Sequence, residues 1–132
     1  MKNTLVLIFA IWGLSGCATW MPASFDPVEY NQYLKMQRAA DNGTDSCKSP
    51  NNIRAQVVPR LLEQSKVLIV YTRNKTHSTN SFEMVKIINN NIVEMQARYG
   101  KEDPSETYCK SKLELIKYSA ERAMSTLGKA PR

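Results

Sequence analysis

Val67-Leu68-Ile69-Val70-Tyr71 is the stretch on which the fold turns. Its β-branched and aromatic residues have the composition of a strand. A strand needs a neighbour, however, and no second run of comparable quality exists in the chain to pair with it. The stretch therefore reads as a wholly buried helical turn, and the protein as all-α. Immediately upstream, Ser49-Pro50 offers a helix start, and Ile53, Val57, Leu61 and Leu68 follow at helical spacing. Pro59 interrupts that pattern: an interior proline removes one hydrogen bond and clashes with the preceding turn. The expectation is a kink there, or a short helix followed by a longer one.

The same reading extends outward in both directions. Asp26-Pro27-Val28-Glu29 opens a first helix, with Asp26 as N-cap, Pro27 at the first helical position and Glu29 reaching back as in a capping box. Phe25 and Tyr30 stand where a hydrophobic staple would close it. This helix should run to about Ala40 and stop before the turn residues Asp41-Asn42-Gly43. On the other side, Asn74 to Asn80 reads as a loop, and Asn80-Ser81-Phe82-Glu83 repeats the capping-box pattern. Val85, Ile88, Ile92, Met95 and Tyr99 then advance by three and four residues, the clearest amphipathic stripe in the chain, with Gly100 as a left-handed C-cap. Asp103-Pro104-Ser105-Glu106 starts a last helix with the device seen at Asp26. Along it Cys109, Leu113, Ile116, Ala120, Ala123 and Leu127 keep one face as far as Gly128. Four antiparallel helices with short connections follow.

The chain begins MKNTLVLIFAIWG: a basic start at Lys2, an apolar stretch from Leu5 to Trp12, then Ser15 and Gly16 before Cys17. That order is a secretory signal. Its apolar core is too short to span a bilayer, which takes about 20 apolar residues. Leu14-Ser15-Gly16-Cys17 resembles the lipobox of bacterial lipoproteins. The resemblance implies that Cys17 carries diacylglycerol, becomes the N-terminus on cleavage and is then acylated. Several acyl chains at ~0.8 kcal/mol per buried methylene hold a protein at a membrane almost permanently. In enteric-type lipoproteins an Asp after the cysteine resembles an inner-membrane retention signal. Ala18 stands there instead, which implies the outer membrane, with the domain facing the periplasm.

On this reading residues 1–16 are a signal peptide, residues 17–25 a lipidated tether, and residues 26–132 the helical domain. Trp20 and Met21 in the tether either rest among lipid headgroups or belong to a plain linker. With Cys17 lipidated, Cys47 and Cys109 remain, in an oxidising compartment where a pair closes. The expected bridge spans roughly 60 residues and contributes about 4 kcal/mol in the chain-entropy model. The competing reading, two metal-binding or reactive thiols, lacks support: His77 is the one histidine and no CxxC spacing occurs. The fold expected is thus a small antiparallel four-helix bundle with one disulfide after a cleaved leader, and a bridge suits so modest a core.

Losing Lys2 with the leader leaves 17 basic against 12 acidic side chains and takes the net charge from +6 to +5. The cations are spread and mixed with acids, the pattern of a solvated surface rather than a nucleic-acid patch. An attraction for anionic lipid or an acidic partner is compatible with it. No enzyme signature emerges. His77 lies in a polar loop without a cysteine nucleophile or serine elbow, Glu29, Glu83 and Glu106 are assigned to caps, and no phosphate-cradling glycine loop is present. The sequons at Asn42 and Asn74 are accidental in a bacterial protein. No cofactor and no metal are expected.

Tyr108-Cys109-Lys110-Ser111-Lys112, continued by Lys117 and Arg122, gives the last helix a basic edge that could dock an acidic or amphipathic peptide; the simpler reading is a wet outer face. Candidate partner-binding residues are Tyr30, Tyr33, Met36, Met84 and Lys112, although tyrosine and methionine at helical spacing more often fill a core. The lipobox, one cysteine between the first two helices and one opening the last are similar in layout to the helical pilotins of type II secretion. That resemblance implies a groove for the C-terminal segment of a secretin. Three functions compete: an envelope interaction module that binds or escorts another component, a surface or entry-exclusion lipoprotein of a mobile element, and a small periplasmic hydrolase. The first is the expectation.

Overall fold

A computed structural model describes residues 25–75 and 79–127. Cys17, the leader, the tether, His77 and Gly128 lie outside these residues. Within them the protein is a four-helix bundle. Helix α1 is Pro27–Gly43, and a 3₁₀ turn, Thr44–Lys48, follows it. Helix α2 is continuous but built of three parts: an α-turn Pro50–Asn52, a π-helical segment Ile53–Val57 and the α-helix Val58–Arg73. Helices α3 and α4 are Thr79–Lys101 and Glu106–Thr126. Each helix packs against two neighbours, α1 and α3 both touching α2 and α4, so α2 and α4 stand diagonally across the bundle.

Residues 67–71 are helical, as their isolation from any other strand-like run requires. They are not wholly buried. Leu68 faces the core, while Val67 and Val70 are 47% and 57% exposed. In a helix three consecutive residues cover most of the circumference, so a five-residue apolar run inside a bundle must present part of itself outward. The Pro59 expectation resolves into the π segment. Widening the turn before Pro59 relieves the clash with the preceding carbonyls and avoids the need for its missing N–H, so the helix continues.

Several predicted boundaries move. Helix α1 does not stop before Asp41-Asn42-Gly43 but runs through them, and Gly43 has ordinary right-handed geometry. Gly43 is needed for closeness instead: a Cβ there would lie 2.8 Å from Val57 Cγ1 and 3.2 Å from Leu113 Cδ1. Helix α3 begins at Thr79, so Asn80 is inside it rather than capping it, and Glu83 pairs with Lys86. Gly100 is helical, not a left-handed cap, and the helix passes on to Lys101. Helix α4 is capped by Ser105, whose Oγ accepts the Tyr108 N–H at 3.1 Å, and not by Asp103. Asp103 is instead held by Arg54.

The core is formed by the expected stripes. Val85, Ile88, Ile92, Met95 and Tyr99 of α3 and Cys109, Leu113, Ile116, Ala120 and Ala123 of α4 are buried, facing Tyr33, Met36 and Ala40 of α1 and Leu61 and Leu68 of α2. Each large aliphatic side chain sealed there contributes about 1.5–3 kcal/mol relative to exposure. Cys47, in the 3₁₀ turn, and Cys109, in the first turn of α4, form the disulfide, with Cα atoms 5.6 Å apart. It ties the α1–α2 connection to the start of α4.

Candidate interaction surface

Two features of the bundle could carry function: a cluster of charged side chains at one end and two exposed apolar faces. The cluster forms where α1 begins and α2 ends. Asp26 caps α1, its Oδ1 accepting the N–H groups of Val28 at 3.0 Å and Glu29 at 3.1 Å. Its Oδ2 accepts the Tyr71 hydroxyl at 2.8 Å and lies 2.5 Å from Lys75 Nζ. Glu29 does not reach back to the cap as expected. It turns inward, wholly buried, and its Oε2 accepts from Lys75 Nζ at 2.6 Å. Phe25 and Tyr30 do close the staple, ring centroids 5.5 Å apart. Their contact places the chain's entry to the domain beside the end of α2.

The electrostatics of the cluster follow from these contacts. For Asp26, burial opposes ionisation but is outweighed by the Lys75 ammonium, the Glu29 amide and the Tyr71 hydroxyl, and its carboxyl is brought down from 3.8 to about 2. Lys75, despite the opposing cost of burial, is pushed up by the bonds to Asp26 and Glu29. Tyr71 is pushed up first by its bond to Asp26, and Tyr33 first by burial and then by Glu29. A general acid or base works best with a pKa near the ambient pH, whereas Asp26 is held far below it and Lys75 above its ordinary value. The cluster is an electrostatic clamp between α1 and α2.

Arg54 performs a similar office at the other end. Its Nε donates to the Tyr99 carbonyl at 2.6 Å and one terminal nitrogen to the Glu102 carbonyl at 2.9 Å, with Asp103 as counter-ion. This holds the α3–α4 connection against the start of α2 and explains why Asp103 is not free to cap α4.

The exposed apolar faces lie on the bundle's sides. At the α3–α4 seam, Lys112 Nζ donates to Glu94 Oε2 at 2.8 Å and to Asn91 Oδ1 at 3.4 Å. About one turn farther from the connecting loop, Ile87 and Leu115 occur on the two antiparallel helices, 53% and 44% exposed, with Tyr118 at 58%. The second face is the outer side of α2, where Val67 and Val70 sit beside Lys66, Tyr71, Asn74 and Lys75 and line one shallow concavity. One helix face is convex, so these residues alone offer a surface rather than an enclosing pocket.

Of the five candidate binding residues, Lys112 bridges the α3–α4 seam and Met84 of α3 is half-buried against the core. Tyr30 is half-buried in the staple at the far side, and Tyr33 and Met36 are wholly buried, presenting nothing to a partner. Ile87, Leu115 and Tyr118 were not singled out by the sequence reading. The available signal was that each falls beside, not on, the apolar stripe of its helix. Among the described residues no three His, Cys, Asp or Glu side chains are grouped so as to hold a metal ion, and no helix is long and apolar enough to cross a membrane. Comparison with family models, with curated proteins and with solved structures gives no match for the chain.

Proposed function

We propose that the protein is a lipid-anchored interaction module of the bacterial envelope, tethered through Cys17, which holds or escorts another envelope protein on the outer α3–α4 face. The observation that carries this reading is the exposure of Ile87, Leu115 and Tyr118 on two adjoining helices; Val93 of α3 is the other large apolar side chain that these two helices expose among the described residues. Exposed apolar side chains gathered on one face mark a place where a protein surface is covered in use. The lysines that an acidic peptide would need are already engaged, Lys110 with Glu106 at 2.6 Å, Lys112 with Glu94 at 2.8 Å and Lys117 with Asp41 at 2.9 Å. The partner is therefore expected to contribute mainly apolar side chains, with the Lys112–Glu94 pair at the seam on the polar rim.

The finer version of this reading is pilotin-like, with an amphipathic C-terminal segment of a secretin as cargo. It draws on the lipobox and on the positions of the two bridged cysteines in the helix order. Photo-crosslinking in the intact envelope from position 118, followed by mass spectrometry of the products, tests both levels. The expected product is a reproducible adduct with one envelope protein that is lost in Leu115→Lys while thermal stability is retained. A secretin in that adduct would establish the finer version, and the absence of any protein adduct from positions 87 and 118 would overturn the module itself.

A further inference from the structure

The outer face of α2 has a different character from the α3–α4 seam. Val67 and Val70 form an apolar ridge one turn long, and Arg60, Lys66 and Arg73 surround it, all exposed. Among the described residues none of these three cations has a carboxylate partner, whereas on α3 and α4 Lys86, Arg98, Lys110, Lys112 and Lys117 are paired and only Lys101 and Arg122 are not. Glu63 is the one acidic side chain on the same exposed side of the helix. An apolar ridge flanked by unpaired cations is the arrangement that settles on an anionic lipid surface: the cations meet headgroup phosphates and the valines enter the boundary below them.

The entry of the chain points the same way. Asp26 is bonded to Tyr71 and Lys75, so the tether leaves the domain at the C-terminal end of α2, about one helical turn from the Val67–Val70 ridge. Phe25 stands eight positions after Cys17, a span that when extended reaches about 27 Å. A lipid attached to Cys17 thus brings the outer face of α2, more readily than the diagonal helix α4, against the surface in which it is embedded.

We propose that the outer face of α2 is the membrane-resting face of the protein, binding anionic phospholipid headgroups through Arg60, Lys66 and Arg73 around the Val67–Val70 ridge. This rests on the lipid-anchored reading and fixes an orientation within it. Because α2 and α4 are diagonal, the α3–α4 face is then turned from the bilayer and open to a partner.

The test uses the full acylated protein in phosphatidylcholine vesicles with or without phosphatidylglycerol and with nitroxide-labelled headgroups. A fluorophore is placed at Val70→Cys or, for comparison, at Tyr118→Cys. Flotation with the vesicles is measured first. The expected result is strong quenching at position 70 in the anionic vesicles, weak quenching at position 118, and loss of the difference in phosphatidylcholine alone or at high salt. Neutralising any one of the three cations should lower the equilibrium constant for the resting state about fivefold, the factor equivalent to ~1 kcal/mol per cation near an anionic surface.

Equal quenching at the two positions, with flotation intact, would overturn the resting face and leave the anchor standing; failure to float would remove both. Position-70 crosslinking to a protein in the native envelope, without quenching in vesicles, would reassign the face to a protein partner. Quenching that depends on protein density would reassign it to a second copy. Lys66→Gln and Arg73→Gln lie on the exposed side and leave the core untouched, so their effects are read on folded protein.

Discussion

Two glycines in helices illustrate how a residue's meaning depends on what stands opposite it. At Gly43 a methyl group would press on Val57, whose β-branched side chain has little rotamer freedom, and on Leu113. Gly43→Ala should therefore destabilise by about 1–2 kcal/mol, overpacking outweighing the gain in helix propensity. At Gly100 a Cβ meets nothing within 4 Å, and the same substitution should stabilise by about 0.5 kcal/mol. Urea unfolding of both variants checks the opposite signs. Glu29 offers a stricter case. Its carboxylate is wholly buried and relies on Lys75, so Lys75→Met should cost about 3 kcal/mol by leaving that charge uncompensated. In the double variant with Glu29→Met much of the loss should return. A double-mutant cycle that found the two losses additive would show that the clamp is not a coupled unit.

At the scale of elements, pH reports on the start of α1. The Asp26 carboxyl lies at about 2 in the folded protein and 3.8 unfolded, so its stabilising effect is complete above pH 4 and is lost as pH falls toward 2. With solvent screening allowed for, the change is about 1–2 kcal/mol. It should vanish from the pH profile of Asp26→Asn, which retains a capping side chain but not the charge. Helix identity and core faces were legible in the sequence because the stripes of α3 and α4 repeat at the helical period over many residues. The ends were less legible because caps compete with distant partners. Glu29 is taken by Lys75 and Asp103 by Arg54, so the motifs Asp-Pro-x-Glu at the two sites end in different geometries. Pro59 announced a disturbance, but a π segment and a break both satisfy a missing N–H. The exposed candidates were hidden for a related reason: Ile87 adjoins buried Ile88, and Leu115 adjoins buried Ile116. Burial of adjacent helix residues depends on the neighbouring helix, which spacing along one chain does not specify.

For the whole molecule, the disulfide decides how much of the bundle survives in a reducing environment. The 62-residue separation between Cys47 and Cys109 places all of α2 and all of α3 inside the closed loop. Reduction restores that loop's freedom to the unfolded chain, worth about 4 kcal/mol in the chain-entropy model, against a total stability of about 5–15 kcal/mol for a domain. The folded contacts need not change, because Cys109 is sealed among core residues and Arg54 and Asn52 brace the same end. The reduced protein should thus remain helical at room temperature while its midpoint falls by about 15–30 °C, from the usual 4–8 °C per kcal/mol for a domain near this size. Circular dichroism melts with and without reductant, repeated on Cys47→Ser/Cys109→Ser, make the comparison. A midpoint that hardly moved would mean that helix packing alone holds the bundle and that the bridge matters little to it. A large fall instead means that the anchored domain depends on oxidation at the site of assembly, and that either cysteine variant should be depleted from the envelope by proteolysis even though neither side chain touches a proposed binding face.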